Sequence, residues 1–191
     1  MKRYETFMSK LASSGVSEEC VKKLDELYGE KIEKASFATR SDTGMAYEGS
    51  MVDVALMRLA LFAVKVNELY PEEIRADKKS VVKVCLLQHI SKCERIIDQT
   101  DDWRLVKLGE VFQYNSDSPA IGVGLHSLMM ACKAGIDFTP DEVEAMTIID
   151  RDDNDPKTKF FSGILAVVVK QANDMVHAYH HAVERKRKQA K

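Results

Sequence analysis

The chain has few of the residues that mark several common classes of protein. Its 191 residues include four cysteines, none of them in a Cys-x-x-Cys pair, so neither a disulfide framework nor a zinc motif is indicated. No apolar run is long enough to cross a bilayer, and residues 1–5 lack the apolar core of a signal peptide. We therefore expect a cytoplasmic protein with reduced thiols and no membrane contact.

An excess of charge of one sign is also missing. Lysine and arginine total 28 and aspartate and glutamate 30, so the formal net charge of -2 gives no global field that would attract nucleic acid or an anionic membrane. Hydrophobic residues make up 45% and charged residues 30%, an ordinary globular balance. The length fits one domain with a substantial core.

The apolar residues recur mostly with a helical period. This pattern predicts helices over residues 1–13, 18–28, 51–69, 77–97, from 118 onward, from 140 onward and over 160–188, with a loop over 35–49. Asp77 and Thr139 are suited to cap two of these helices, and Gly15 and Gly29 to end the first two. Around Gly109 the pattern over residues 103–114 resembles a small β-hairpin. The sequence thus predicts an all-α, mostly helical single domain, with residues 1–30 forming an N-terminal helical pair.

The segment from Cys85 to Lys92 is the most informative in the chain. It reads Cys-Leu-Leu-Gln-His-Ile-Ser-Lys and resembles the central helix of HD-domain metal-dependent phosphohydrolases of the bacterial and phage type, Leu-Leu-His-Asp-Ile-Gly-Lys. Adjacent His and Asp residues hold the metal in that family. Segments 47–56, 122–127, 138–149 and 173–176 resemble further family motifs in the same order. The resemblance implies an HD-like helical core over residues 35–181, followed by a basic tail over 182–191.

The resemblance also implies that the metal ligands of the family are mostly absent. Its ligand positions fall on Val54, Gln88, His89, Val123, Ile149 and Asp174. Valine and isoleucine have no donor atom, and a neutral amide is a poor ligand for a transition metal. His89 cannot replace its neighbour, because one residue along a helix rotates the side chain by about 100°. Activating a water molecule needs a metal held by several ligands.

These departures predict a catalytically inactive HD-like domain without a metal cofactor. It would act as a binding or regulatory module for a protein partner, a nucleotide or a second copy of the chain. Because Val54, Val123 and Ile149 replace polar groups, we expect the former pocket to be filled by side chains. Lys92 and His126 could still form a residual anion site if both face it.

Three alternatives remain open. A rebuilt metal site could use His89 and Asp174, with Asp53 or His126, and would restore phosphohydrolase activity. A second cluster, His177, His180 and His181, has helical spacing that could hold a metal, although a polar helix face explains it more simply. The basic tail, Arg185 to Lys188 with Lys191, could bind nucleic acid, although cations also suit the end of a helix.

Overall fold

The computed structural model describes residues 2–98, 103–151 and 162–190. It confirms a mostly α-helical fold with one small β-hairpin. The helices are α1 (Lys2–Ser13), α2 (Glu18–Lys34), α3 (Ser50–Asp53), α4 (Ala60–Leu69), α5 (Lys78–Leu87), α6 (Lys92–Arg95), α7 (Trp103–Lys107), α8 (Val123–Lys133), α9 (Pro140–Thr147) and α10 (Ile164–Gln189). A π-helical segment, Val54–Leu59, joins α3 to α4, and 3-10 turns cover Ser41–Thr43, Glu72–Ile74 and Ile148–Asp150. The strands are β1 (Ile96–Asp98) and β2 (Phe112–Tyr114).

The first two helices pack onto the rest of the molecule. Phe7 and Leu11 of α1 are fully buried and belong to one hydrophobic core with residues from α2 to α10. The predicted end of α2 at residue 28 is wrong, because the helix runs through Gly29 to Lys34. Gly29 has a packing role there: a β-carbon would lie 2.2 Å from the Asp25 carboxylate, which accepts a hydrogen bond from the Tyr4 hydroxyl.

The predicted apolar helix from residue 51 to 69 forms the centre of the fold. The chain is helical throughout Ser50–Leu69, with the π-helical segment in its middle. Val54, Leu59 and Ala63 are fully buried, which agrees with a helix that is apolar nearly all round. α4 packs against α5 and α10. Among the described helices, none is both long and apolar enough to span a membrane.

The helix predicted over residues 77–97 is interrupted. Asp77 caps α5 as predicted, its carboxylate accepting from the Ser80 amide at 2.9 Å, but α5 ends at Leu87. The Ser91 amide donates to the Ser127 hydroxyl at 3.0 Å, and the Ser91 hydroxyl donates to the Val123 carbonyl at 2.9 Å. The Ser91 amide thus bonds to α8 and not within a continuing helix, and a turn separates α5 from α6.

The hairpin is also placed differently from the prediction. β1 pairs antiparallel with β2 in the register Ile96↔Tyr114, Ile97↔Gln113 and Asp98↔Phe112. Within the predicted range of 103–114, the first part is helical (α7) and only Phe112–Tyr114 is a strand. The pattern indicated both strands within residues 103–114, but β1 lies at Ile96–Asp98, where the end of a helix was predicted.

The last three helices were predicted with mixed accuracy at their starts. Thr139 caps α9 as predicted, and it does so in a capping box with Glu142. The predicted helix start at Ser118 is wrong, because α8 begins at Val123 with Gly122 as its N-cap. α10 begins at Ile164, and the predicted start at Phe160 lies outside the described residues. Its buried stripe includes Leu165, Val168 and Ala172 and continues through Val176 and His180, whereas Met175 and Tyr179 are exposed.

Candidate functional site

Gln88 and His89 lie in the turn after α5 and face α10. Gln88 is fully buried, and its Nε2 donates to the Ala145 carbonyl of α9 at 2.8 Å. Its Oε1 accepts from Nδ2 of Asn173 at 2.8 Å, and Nδ2 also donates to the Val169 carbonyl at 3.0 Å. His89 Nε2 lies 2.9 Å from Oδ1 of Asn173. The two positions at which the family would hold its metal are thus joined in an amide–imidazole network, Gln88–Asn173–His89.

Asn173 was not predicted as a site residue. It is a buried polar residue within the apolar stripe of α10, one position before Asp174. The sequence does carry a signal for it, because a polar residue among Val169, Ala172 and Val176 needs a buried partner. The identity of that partner depends on the turn after α5, which the sequence pattern did not reveal.

His89 is held in a neutral state. It is 5% exposed, and its ring meets the Phe37 ring edge-on with centroids 4.8 Å apart. Burial, reinforced by the neighbouring Lys92 charge, lowers the pKa of His89 to about 3. Its Nδ1 is buried and has no hydrogen-bond partner among the described residues.

Lys92, one turn further on, is a partly buried cation. Its Nζ donates to the Phe37 carbonyl at 2.7 Å and lies 3.7 Å from the centre of the Phe37 ring. Burial and, secondly, the charge of Arg95 lower the pKa of Lys92 to about 7. A half-buried amine with this pKa is poised to gain a proton when an anion approaches.

A cavity of about 300 Å³ lies between α6, α10 and the 3-10 turn Ile148–Asp150. The predicted positions that line it are His89, Val123, Ile149 and Asp174. The expectation of a filled pocket is therefore wrong. Val54 and Gln88 are fully buried and are not among the described lining residues. Val123 and Ile149 contribute apolar side chains to its lining.

The described lining carries more positive than negative charge. Arg151 and Lys170 contribute two positive charges and Asp150 and Asp174 two negative ones, so the excess comes from Lys92, which is only partly protonated near neutral pH because its pKa is about 7. His177 also lines the cavity, and burial lowers its pKa as well. Arg151 and Lys170 were not predicted, because only the folded chain brings them to Lys92.

Asp150 has a structural task at the edge of this cavity. Its carboxylate accepts from the amides of Gly124 at 3.0 Å and Leu125 at 2.8 Å, so it caps the start of α8. Gly122 and Gly124 make this approach possible, because a β-carbon would lie 2.2 Å from the Asp150 carboxyl carbon at Gly122 and 2.1 Å from the Met146 carbonyl oxygen at Gly124. The two glycines therefore serve helix packing and capping.

The predicted pairing of Lys92 with His126 in an anion site is wrong. Among the described residues that line the cavity, Lys92 is present and His126 is not. His126 Nε2 lies 3.6 Å from the Glu94 carboxylate, a neighbour that repels anions. The residual positive charge of the cavity comes from Lys92 with Arg151 and Lys170 instead.

The alternative metal clusters do not assemble as proposed from the sequence. His177 lines the cavity, whereas the buried His180 lines a separate cavity together with Asp53, whose carboxylate accepts from Arg3 and Tyr47. Of the residues considered for a rebuilt site, only His89 and Asp174 share one cavity. Within the described ranges, no group of three or more His, Cys, Asp or Glu side chains is arranged to hold a metal ion.

Comparison with protein-family models, curated proteins and solved structures gave no match. The resemblance to HD-domain phosphohydrolases therefore stays a prediction from the motifs of the chain.

Proposed function

We propose that the protein is a catalytically inactive HD-like domain that acts as a binding or regulatory module, with the cavity beside Lys92 as its ligand site. The observation that carries this proposal is the Gln88–Asn173–His89 network. Gln88 uses both of its polar atoms inside the protein, and His89 uses Nε2 to contact Asn173. These groups stabilise the fold at the positions where a hydrolase of the family would bind its metal.

The chemistry of His89 also argues for binding over hydrolysis. A general base works best when its pKa lies near the working pH. Burial instead lowers the pKa of His89 to about 3, so its lone pair is a weak base at neutral pH. Its Nδ1 is also buried, so His89 is poorly placed to remove a proton from water.

The cavity favours an anionic ligand. Lys92, Arg151 and Lys170 outnumber the carboxylates of the described lining. The pKa of Lys92 is lowered to about 7 mainly by burial, and an anion beside it would stabilise its charged form. A volume of about 300 Å³ is at the lower end for small-molecule sites, so the ligand we propose is small.

A cytoplasmic location belongs to the same proposal. All four cysteines are free, and Cys85 and Cys93 are buried within the helical core. Unpaired, buried thiols suit a reducing compartment. A protein partner or a second copy of the chain stays a prediction, which the molar mass measured by analytical ultracentrifugation would test.

The first test is the metal content of the protein, purified without chelator or affinity-tag metal and measured by elemental mass spectrometry. We expect no stoichiometric transition metal and no hydrolysis of phosphomonoesters when manganese, cobalt or nickel is added. One tightly bound metal per chain, with hydrolysis that Asp174→Ala abolishes and the exposed control Asp117→Ala does not, would instead establish the rebuilt-site alternative at His89 and Asp174.

A further inference from the structure

The packing of α4 against α10 leaves an apolar surface on the outside of the molecule. The Phe62 ring lies edge-on to the Tyr179 ring, with centroids 6.2 Å apart. At the end of α4, the Tyr70 hydroxyl donates to Oε1 of Gln171 at 3.3 Å, so the two helices run antiparallel. Four large apolar side chains of the pair are exposed: Leu61, Leu69, Met175 and Tyr179. Leu69 is the most exposed of the large apolar side chains that the structure describes.

The flank of α10 that faces α4 carries no charged side chain over about three turns. Helical spacing places five exposed residues on this flank: Gln171, Met175, Ala178, Tyr179 and Ala182. On the opposite flank, Lys170 and His177 line the cavity beside Lys92. Asp174 lies at the boundary, because it lines both that cavity and one of about 420 Å³ between α4 and α10. In a chain with 30% charged residues, an exposed helix flank without charge is typical of a surface that another apolar surface covers.

The exposed strip of α4 is apolar at its ends and charged in its middle. Leu61, Lys65 and Leu69 are exposed at four-residue spacing. Glu68 is exposed beside them and approaches the exposed Lys78 at 3.9 Å, whereas Lys65 has no ion-pair partner among the described residues. A cation and an anion three residues apart match a second copy of the same strip in antiparallel orientation. Each Lys65 then meets the Glu68 of the other copy, because a twofold axis repeats every contact.

The two helices agree on the level at which such a twofold axis would pass. The ring contact and the hydroxyl contact between them place Met175 of α10 level with the middle of α4, between Lys65 and Glu68. An axis at this level brings Met175 against its own copy and puts one Lys65–Glu68 pair on each side of the axis. Leu69 of one copy then lies within one turn of Leu61 of the other, so the apolar ends of the strips meet as well.

We propose that the α4–α10 face pairs with the same face of a second copy of the chain, in a four-helix interface around a twofold axis at Met175. The apolar side chains form its centre and the Lys65–Glu68 pairs its rim. Because the strip of α4 carries one charge of each sign, it matches its own copy better than a partner of uniform charge. The face measures roughly 18 Å by 20 Å, less than the roughly 800 Å² per copy of a standard interface, so the dimer is weak. This inference goes beyond the proposed function, since it needs no ligand in the cavity beside Lys92.

Sedimentation equilibrium of the full-length protein tests the dimer and its surface. The wild type should pass from monomer toward dimer between about 10 µM and about 500 µM, the range expected of a small interface. Leu69→Glu and Met175→Glu should weaken association at least about tenfold, because each puts a charge into the apolar centre. The control Leu108→Glu alters an exposed leucine outside this face and should associate like the wild type. A dimer that Leu69→Glu and Met175→Glu leave intact would overturn the proposal, and a wild type that stays monomeric would overturn it in favour of a helix from a different protein.

A charge exchange distinguishes the twofold pair from an apolar patch that adheres without a fixed register. Lys65→Glu and Glu68→Lys should each weaken association at least about tenfold, because like charges then meet at both rim pairs. An equimolar mixture of the two variants should associate like the wild type, since one supplies both anions of the rim and the other both cations. The control Lys107→Glu changes an exposed charge outside the face and should alter neither association nor mixing. Because all these positions are exposed, each variant should unfold at the urea concentration of the wild type. A mixture that associates no better than its two components would overturn the twofold arrangement.

Discussion

At the scale of single residues, three side chains form a buried polar network, and the resemblance predicts metal ligands at two of them, Gln88 and His89. Gln88, Asn173 and His89 bond to one another and to two backbone carbonyls inside the core, and His89 Nδ1 is the one buried atom of the three side chains without a partner among the described residues. Without a metal, a buried cluster of imidazoles and carboxylates would carry unpaired charge, which is costly in a protein interior. An amide network gives the same polar contacts without that cost.

Gln88→Leu should destabilise the fold. The substitution removes the donor to the Ala145 carbonyl and the acceptor for Asn173, and leaving such buried groups unpaired costs about 1–3 kcal/mol. Urea denaturation measures the free energy of unfolding. The control Gln189→Leu changes an exposed residue at the end of α10 and should stay within about 0.5 kcal/mol of the wild type. Equal stability of the two variants would show that the network contributes little.

His89 should make the protein less stable in acid. In the unfolded chain its pKa is near 6.5, whereas burial lowers the pKa of His89 in the folded state to about 3. Between these values the unfolded state binds more protons, so the free energy of unfolding falls as the pH drops from 6.5 toward 3. This slope should decrease in His89→Gln and persist in His181→Gln, which alters an exposed residue of α10. An unchanged slope in His89→Gln would contradict the folded-state pKa.

At the scale of helices, the caps formed by nearby residues could be predicted from the sequence, whereas helix ends set by contacts with distant residues could not. The capping box of Thr139 and the cap of Asp77 depend on residues three positions apart, and both are confirmed. The end of α5 depends instead on Ser91, whose amide and hydroxyl bond to α8, distant in sequence. Gly29 looked like a helix end but serves close packing with Tyr4 and Asp25, which a pattern of adjacent residues does not reveal.

Two N-cap glycines allow a matched test of the cap on α8. Gly122 and Gly163 have nearly the same extended conformation, with φ near -60° and ψ of 155° and 157°. A β-carbon at Gly122 would displace the Asp150 carboxylate, whereas one at Gly163 meets, among the described residues, only the end of the Glu144 side chain at 3.1 Å. Gly122→Ala should therefore cost about 1–2 kcal/mol of unfolding free energy more than Gly163→Ala, the value of a lost N-cap.

A double-mutant cycle identifies the cause of that loss. If Gly122→Ala acts by removing the Asp150 cap, then Gly122→Ala combined with Asp150→Ala should be little less stable than Asp150→Ala alone. Additive losses would mean that Gly122 matters for another reason, such as the backbone of α8 itself. Thermal and urea unfolding of the four proteins give the required free energies.

At the scale of the whole molecule, the motif resemblance grouped residues that line one cavity. It did not predict that this cavity is open or that Arg151 and Lys170 line it. Residues 89, 123, 149 and 174 are far apart in the chain and were grouped by motif resemblance, and the fold brings them to one cavity. Arg151 and Lys170 give it a positive surface, and no motif pointed to them.

The core also joins the N-terminal helices to the rest of the molecule. Phe7 is fully buried where α1 packs against α3 and α5, and it belongs to the same core as Val54 and Leu165. Phe7→Ala should therefore destabilise the whole protein by about 3–5 kcal/mol, the usual cost of a large-to-small change in a core. Leu69→Ala is the control, because Leu69 is 84% exposed and its loss should change stability little.

The shape of the unfolding transition tests whether the N-terminal helices unfold together with the rest of the molecule. Helix content by circular dichroism and the fluorescence of Trp103, outside the N-terminal helices, should change together in urea, in the wild type and in Phe7→Ala alike. If instead α1 and α2 were an independent unit, Phe7→Ala would lower only an early part of the helical signal and leave the tryptophan transition where it was. Coincident transitions, both shifted to lower urea, would mean that α1 and the helices around the cavity fold as one cooperative unit.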